Sequence, residues 1–181
     1  VEGMRGMCRR GPGFTLASGR LRVGRPARAW VESRWSGECE EAGWGSGAWW
    51  SGGAIRVTGG PDLGGGRVVR GRSLCKSAGP LHESADVTIH MVNSIAYRMC
   101  LVAEGRYDAC ISLSGKSDWD IAAAELILAE AGGVNTNAHG EGFAYNLPEP
   151  RHNSVISAGP ALHGHILRFL ETIERPPGAA W

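Results

Sequence analysis

No apolar run in the 181 residues approaches the length of a membrane span, so a soluble chain with no membrane partner is expected. The chain opens Val1-Glu2-Gly3 without an initiator Met, which implies that the true N-terminus lies upstream. It also lacks the charged start, apolar stretch and cleavage site of a secretory leader. The five cysteines, Cys8, Cys39, Cys75, Cys100 and Cys110, are odd in number, scattered, and form no CxxC pair. That pattern excludes a zinc ribbon and a disulfide framework, and makes a reducing cytoplasm the expected location. No internal repeat is visible. The basic, Trp-containing N-terminus carries no RGG repeat or RNP-like motif, so nucleic acid is not an expected partner. Gly115-Lys116-Ser117 imitates the end of a P-loop, but the opening glycine would fall at Cys110, which rules that motif out.

What is present is unevenly distributed. Residues 1–80 hold 13 Lys+Arg against 6 Asp+Glu, whereas 81–181 hold 6 against 12, so the net charge of +1 conceals two regions of opposite sign. The first region also holds 19 of the 28 glycines and five of the seven tryptophans. Its short apolar pieces at 13–16, 29–31, 47–50 and 54–58 alternate with glycine. They suit an antiparallel sheet with tight turns, or equally a disordered Gly/Arg-rich segment.

The second region is better punctuated. Ser94 can cap a helix whose apolar residues Ile95, Met99 and Val102 share a face, with Gly105 as its stop. Residues 108–113 alternate like a strand, with Ala109, Ile111 and Leu113 on one side. Ser117 and Asp120 form a Ser-x-x-Asp capping box. The helix it opens runs through Ile121, Ala124, Leu128 and Ala131 to Gly132-Gly133. Residues 154–158 read as a short buried strand. Pro160 opens a last helix striped by Leu162, Ile166, Phe169, Leu170 and Ile173. Helices alternating with strands predict an α/β layered fold.

The most informative stretch is Trp119-Asp120-Ile121-Ala122-Ala123-Ala124, continuing to Gly132-Gly133. Asp120 falls in a first helical turn, where free amides and the helix dipole attract negative charge. A carboxylate at a strand-to-helix junction suits a hard cation. Taken by itself, it suits a plain helix cap better. The small residues Ala122, Ala123 and Ala124 would let a sheet or a phosphate site approach closely. His163 and His165 are two residues apart and diverge on a helix, which argues against a metal pair.

The run from Trp119 to Gly133 resembles the second signature of the inositol monophosphatase superfamily: aromatic-Asp, small residues, apolar positions, then Gly-Gly. Ser94-Ile95-Ala96-Tyr97-Arg98, then Leu101-Val102-Ala103-Glu104-Gly105 and Asp108-Ala109, resemble its "GS-x-A-Y…LVA-x-G-x-x-DA" segment, with Asn93 in place of the usual Gly. Tyr145-Asn146, Ser154 to Gly159 and Leu162-His163 resemble its closing strand and helix. More weakly, Gly45-Ser46-Gly47-Ala48-Trp49 and Gly53-Ala54-Ile55-Arg56-Val57 resemble its "GGGAF…NG-x-PIRV" hairpin. Gly24-Arg25-Pro26 and Gly37-Glu38 fall where the family turns. Arg20, Arg22 and Arg28 put charge at core strand positions and depart from the pattern.

The resemblance implies an α/β, α+β layered sandwich of the sugar-phosphatase type. A truncated antiparallel N-terminal sheet would occupy 1–80, a C-terminal α/β unit 81–175, and a tail 176–181. It implies a magnesium-dependent phosphomonoesterase acting on a small phosphorylated substrate, with a homodimer as the candidate assembly. Asp120 would bind the metal. Ser94 and Ile95 would face the substrate, with Lys116 toward a second phosphate and Arg72 and Ser73 in a turn nearby. The family also needs an acidic pair and a "DP-x-DGT" loop, and neither DP nor DGT occurs in this chain. The expectation is therefore a fragment with little activity of its own and no confidently present catalytic residue. Leu113 stands where inositol monophosphatases place an acidic substrate contact, which favours 3'-phosphoadenosine 5'-phosphate, as in bisphosphate nucleotidases, over inositol monophosphate. The remaining alternative is an inactive, phosphate-binding relic.

Overall fold

The computed structural model describes residues 15–33, 36–60, 62, 64–71, 87–173 and 181. Left-handed turn residues build the first sheet. Val23 (φ 51°) and Gly24 (φ 70°) reverse β1 (Thr15–Arg22) into β2 (Arg25–Ser33). The meander continues through β3 (Cys39–Gly43), β4 (Ala48–Trp50) and β5 (Gly53–Ala54), antiparallel throughout and in the order β1-β2-β3-β4-β5. The N-terminal region is thus an ordered sheet among the described residues. Its strands differ from the sequence expectation: β1 reaches Arg22, β3 is additional, and the piece expected over 54–58 is strand only at Gly53–Ala54.

Period-two alternation sorts the side chains of this sheet. Ala29, Val31, Ala42 and Ala48 face inward and are buried. Arg20 and Arg28 oppose one another across β1 and β2, and Arg22 opposes Arg25. All four arginines are exposed. The expectation that Arg20, Arg22 and Arg28 occupy core positions is therefore corrected: they face away from the core, where a guanidinium keeps its hydration.

The second sheet has the order β10-β12-β8-β6-β7, from β6 (Arg67–Arg70), β7 (Thr88–Met91), β8 (Ala109–Ser112), β10 (Val134–Thr136) and β12 (Val155–Ala158). β6 pairs in parallel with β7 and β8, while β12 is antiparallel to β8 and β10. A two-stranded ribbon joins β9 (Lys116–Ser117) to β11 (Arg151–His152).

Three helices complete the layers: α1 (Ile95–Ala103), α2 (Asp118–Glu130) and α3 (Pro160–Thr172). α1 and α2 pack together between the sheets, α2 against β1, β2 and β3, and α1 against β8. α3 covers the far face of the second sheet through β12. Successive residues of that sheet therefore enter different cores. Val69, Cys110 and Val155 join the α1–α2 core. Val68, Ile111 and Ile156 join the α3 core, which Trp181 also enters.

The helix ends fall where local chemistry predicts. Ser94 caps α1, its Oγ accepting from the Tyr97 amide at 3.2 Å. Gly132 (φ 85°) stops α2, and Gly133 follows because a Cβ there would strike Leu128 and Val57 at under 3 Å (2.8 and 2.9 Å). Among the described residues no helix is long and apolar enough to cross a membrane.

Candidate functional site

The first turn of α2 is built by reciprocal capping. Asp120 Oδ2 accepts from the Ser117 amide at 2.9 Å. This arm fixes the carboxylate at the helix entrance and occupies one of its oxygens. Asp120 is half-buried, and Trp119 beside it is 68% exposed. The alanines that follow do what their size allows. β1 crosses so close to Ala123 that a Cβ on Gly19 would lie 3.5 Å from its main chain.

Lys116 sits on β9 and folds back on its own loop. Its Nζ donates to Ser114 O at 2.9 Å, Ser114 Oγ at 2.8 Å and Gly115 O at 3.1 Å. Ser94 and Ile95 open α1 and are buried. Ser94 Oγ lies 2.7 Å from Thr15 Oγ1, so the start of β1 is fastened to this helix entrance. The expected residues therefore form two groups, Ser94 and Ile95 with Thr15, and Lys116 with Ser117 and Asp120. Arg72 and Ser73 lie outside the described residues. Leu113 is half-buried and packs against the α3 core.

Sequence reasoning passed over Asp118. Its Oδ1 lies 2.8 Å from His152 Nε2, and its Oδ2 accepts from the Asn146 amide at 2.8 Å. Phe143 and Tyr145 pack their rings on His152, with centroids 4.7 and 5.7 Å away. Asn146 has φ 62°, a backbone state that asparagine tolerates better than most residues. This cluster pins the 143–152 segment to the start of α2. The Asp-x-Asp at 118 and 120 was the available signal, but His152 is 34 residues away and nothing local pairs it. A cleft of about 570 Å³ opens alongside, lined by Ala17, Gly19, Asp118, Trp119, Asn146 and Leu147, with Asp120 outside its walls.

His163 is not a metal ligand in this arrangement. It is buried, with Nε2 3.0 Å from Thr136 Oγ1. Among the described residues no three His, Cys, Asp or Glu side chains converge as a metal site. Asp118 has both carboxylate oxygens engaged, so Asp120 is the carboxylate with chemistry suited to a hard cation, and it does not make a coordination shell by itself.

Residues 11–175 match the family model described as the inositol monophosphatase family. The chain belongs to that family. Among curated inositol monophosphatase relatives, it is 38% identical over 87 residues to the fructose-1,6-bisphosphatase/inositol-1-monophosphatase of Methanothermobacter thermautotrophicus, covering 47% of this chain and 31% of that protein. It is 33% identical over 69 residues to the 3'(2'),5'-bisphosphate nucleotidase CysQ of Aggregatibacter actinomycetemcomitans, covering 38% of this chain and 26% of that protein. The chain thus spans under a third of each curated relative. The solved inositol monophosphatase from Anabaena (Nostoc) superposes with a TM-score of 0.81 at 24% identity, over 99% of this chain and 74% of that one. This last likeness bears on the fold.

Proposed function

We propose that the chain serves a magnesium-dependent phosphomonoesterase, with Asp120 contributing one metal carboxylate. The observation that carries this reading is the placement of Asp120 in the first turn of α2, inside the segment matched to the family. Magnesium bound there would supply positive charge to the phosphate and acidify a water. Asp120 keeps one oxygen on the Ser117 amide, which sets its orientation before any ligand arrives. The main chain of Ser94 and Ile95 would orient the ester at the entrance of α1. Lys116 would exchange its contacts with Ser114 and Gly115 for a second phosphate. The favoured substrate is therefore 3'-phosphoadenosine 5'-phosphate, consistent with likeness to a bisphosphate nucleotidase. The turn at Arg72 and Ser73 would border the same ester.

The chain has no DP or DGT sequence, so alone it is expected to release little phosphate. The test joins it to an upstream family segment carrying the acidic loop, then measures phosphate release with and without magnesium. Asp120→Asn, which keeps the cap, should lower the magnesium-dependent rate by about two to three orders of magnitude. An unchanged rate would leave Asp120 a structural cap. Lys116→Ala should weaken the bisphosphorylated nucleotide about tenfold or more relative to inositol 1-phosphate, as expected for a charge-assisted contact. An unchanged ratio removes the preference for the nucleotide.

A further inference from the structure

The C-terminal half of α2, the start of β2, the β3–β4 turn and residues 142–145 surround a cleft of about 340 Å³. Arg25, Trp44, Glu125, Glu130, Phe143 and Tyr145 line it. Local contacts hold these groups in place. The Trp44 amide donates to Ala27 O at 3.1 Å, and Glu130 accepts from the Gly45 and Gly47 amides at 2.8 Å each. Phe143 and Tyr145 are braced on His152, and Tyr145 is buried. Trp44 and Arg25 are exposed and form the rim.

The charges around the cleft are out of balance. Two carboxyl groups and one guanidinium line it, and among the described residues none of the three enters an ion pair. Glu130 has both oxygens on main-chain amides. Glu125 Oε2 is buried without a hydrogen-bond partner of acceptable geometry, and so is Tyr145 Oη. A buried carboxylate that lacks a donor is costly. An ammonium group brings three donors together with the missing charge, and can serve the carboxylate and the phenol oxygen at once. Aromatic rings attract such a cation through their electron-rich faces. Pro26 and Leu126 give its carbon body an apolar wall.

We propose that this cleft binds an organic cation, a primary ammonium on a compact apolar body, with Glu125 as its counter-ion and Trp44, Phe143 and Tyr145 as its walls. Arg25 is the competing cation. It acts on Glu125 from the rim without pairing with it, and it repels an incoming ammonium. The site lies along the half of α2 that follows Glu125, whereas Asp120 stands in the first turn. This inference does not rest on the proposed phosphatase function.

The experiment titrates benzylammonium chloride, and separately benzyl alcohol, into the 181-residue chain while amide shifts are followed by NMR. Burial raises Glu125 to about 7, so the titration is run at about pH 8.5, where the carboxyl is ionised and an alkylamine keeps its proton. Saturable shifts are expected at Trp44 and over 125–130 and 142–145. The alcohol, which has the same body without the charge, should bind at least about tenfold more weakly, and Glu125→Gln should weaken the amine by a similar factor. Equal binding of amine and alcohol would make the cleft an apolar hollow and overturn the cation site. No saturation in either the parent or Arg25→Ala would overturn it as well. If Glu125→Gln fails to fold, two rim variants decide. Trp44→Ala should weaken the amine about two- to fivefold, and Arg25→Ala should tighten it by a similar factor. Unchanged affinity in both would overturn the proposal. None of these readouts involves phosphate release or magnesium, so their failure and that of the phosphatase reading are separable.

Discussion

The two sheets treat their faces differently. The second is covered on both sides, so all four residues of β8 and all four of β12 are buried. The first buries only its inner face, against α1 and α2, and exposes arginine on the other. The ionisable groups follow the same division. The first-sheet side holds acids, the buried Glu40 on β3 and the half-buried Glu125 on α2, whereas the α3 helix buries a histidine, His163. A sheet dry on both faces admits few polar groups. A sheet dry on one face tolerates charge outside while placing heavier demands on any acid inside.

The largest expected effect tests this contrast directly. Ile111→Ala, in the α3 core, should cost about 2–5 kcal/mol of unfolding free energy, because the two-sided packing cannot collapse into the cavity. Arg20→Thr, on the outer face of the first sheet, should stay within about 0.5 kcal/mol. Relief of its opposition to Arg28 favours the variant. Paired denaturation curves measure both. Similar losses would mean that the outer face is not free.

The two regions should also answer pH with opposite signs. Burial raises Glu125 to about 7. Its contribution is complete below the unfolded carboxyl range and is lost as pH rises through the native value. Burial lowers His163 below the ordinary histidine value. Its contribution is complete above the unfolded value and is lost as pH falls through the native one. Glu125→Gln should flatten the loss of stability between about pH 4.5 and 7, while His163→Gln should flatten the loss on the acid side. Unfolding midpoints of the two variants across that range settle the assignment, and matching slopes in both would break the contrast.

A smaller effect tests how α2 joins the first sheet. Glu130, the last residue of α2, accepts from the Gly45 and Gly47 amides, each at 2.8 Å, and so holds the β3–β4 turn. Glu130→Ala should cost about 1–2 kcal/mol, since the site is partly exposed and water can replace the acceptor. Amide hydrogen exchange should quicken at Gly45 and Gly47 while β8 stays protected. Uniform quickening would instead mean that the clamp supports the whole chain.

The smallest is a gain. Val23 is 95% exposed and holds φ 51°, which a β-branched residue adopts at a cost. It precedes Gly24 in a two-residue turn, where Asn-Gly is favoured. Val23→Asn should raise stability by about 0.5–1 kcal/mol. A loss would show that Val23 packs on a surface of its own.

Much of α1, α2 and α3 was legible because their signals span a single turn. Ser94 and Gly105, Ser117 with Asp120, Gly132-Gly133 and Pro160 each act on backbone within a few residues. The family signature through Asp120 was legible for the same reason. β3, by contrast, reads Cys-Glu-Glu-Ala-Gly, with no apolar alternation to announce a strand. It is one because β2 and β4 flank it and satisfy its main chain.

The sequence by itself determined the helices, their caps, the family and the candidate carboxylate Asp120. Only the tertiary structure decided that Arg20 and Arg28 face outward while Glu40 faces inward. It alone joined Asp118 to His152 across 34 residues, and Glu130 to Gly45 and Gly47 across 85 and 83. Such pairings bring together groups with no local preference for one another. They are chosen where burial would otherwise leave a carboxylate or an amide without a partner, and that condition exists only once the layers have closed.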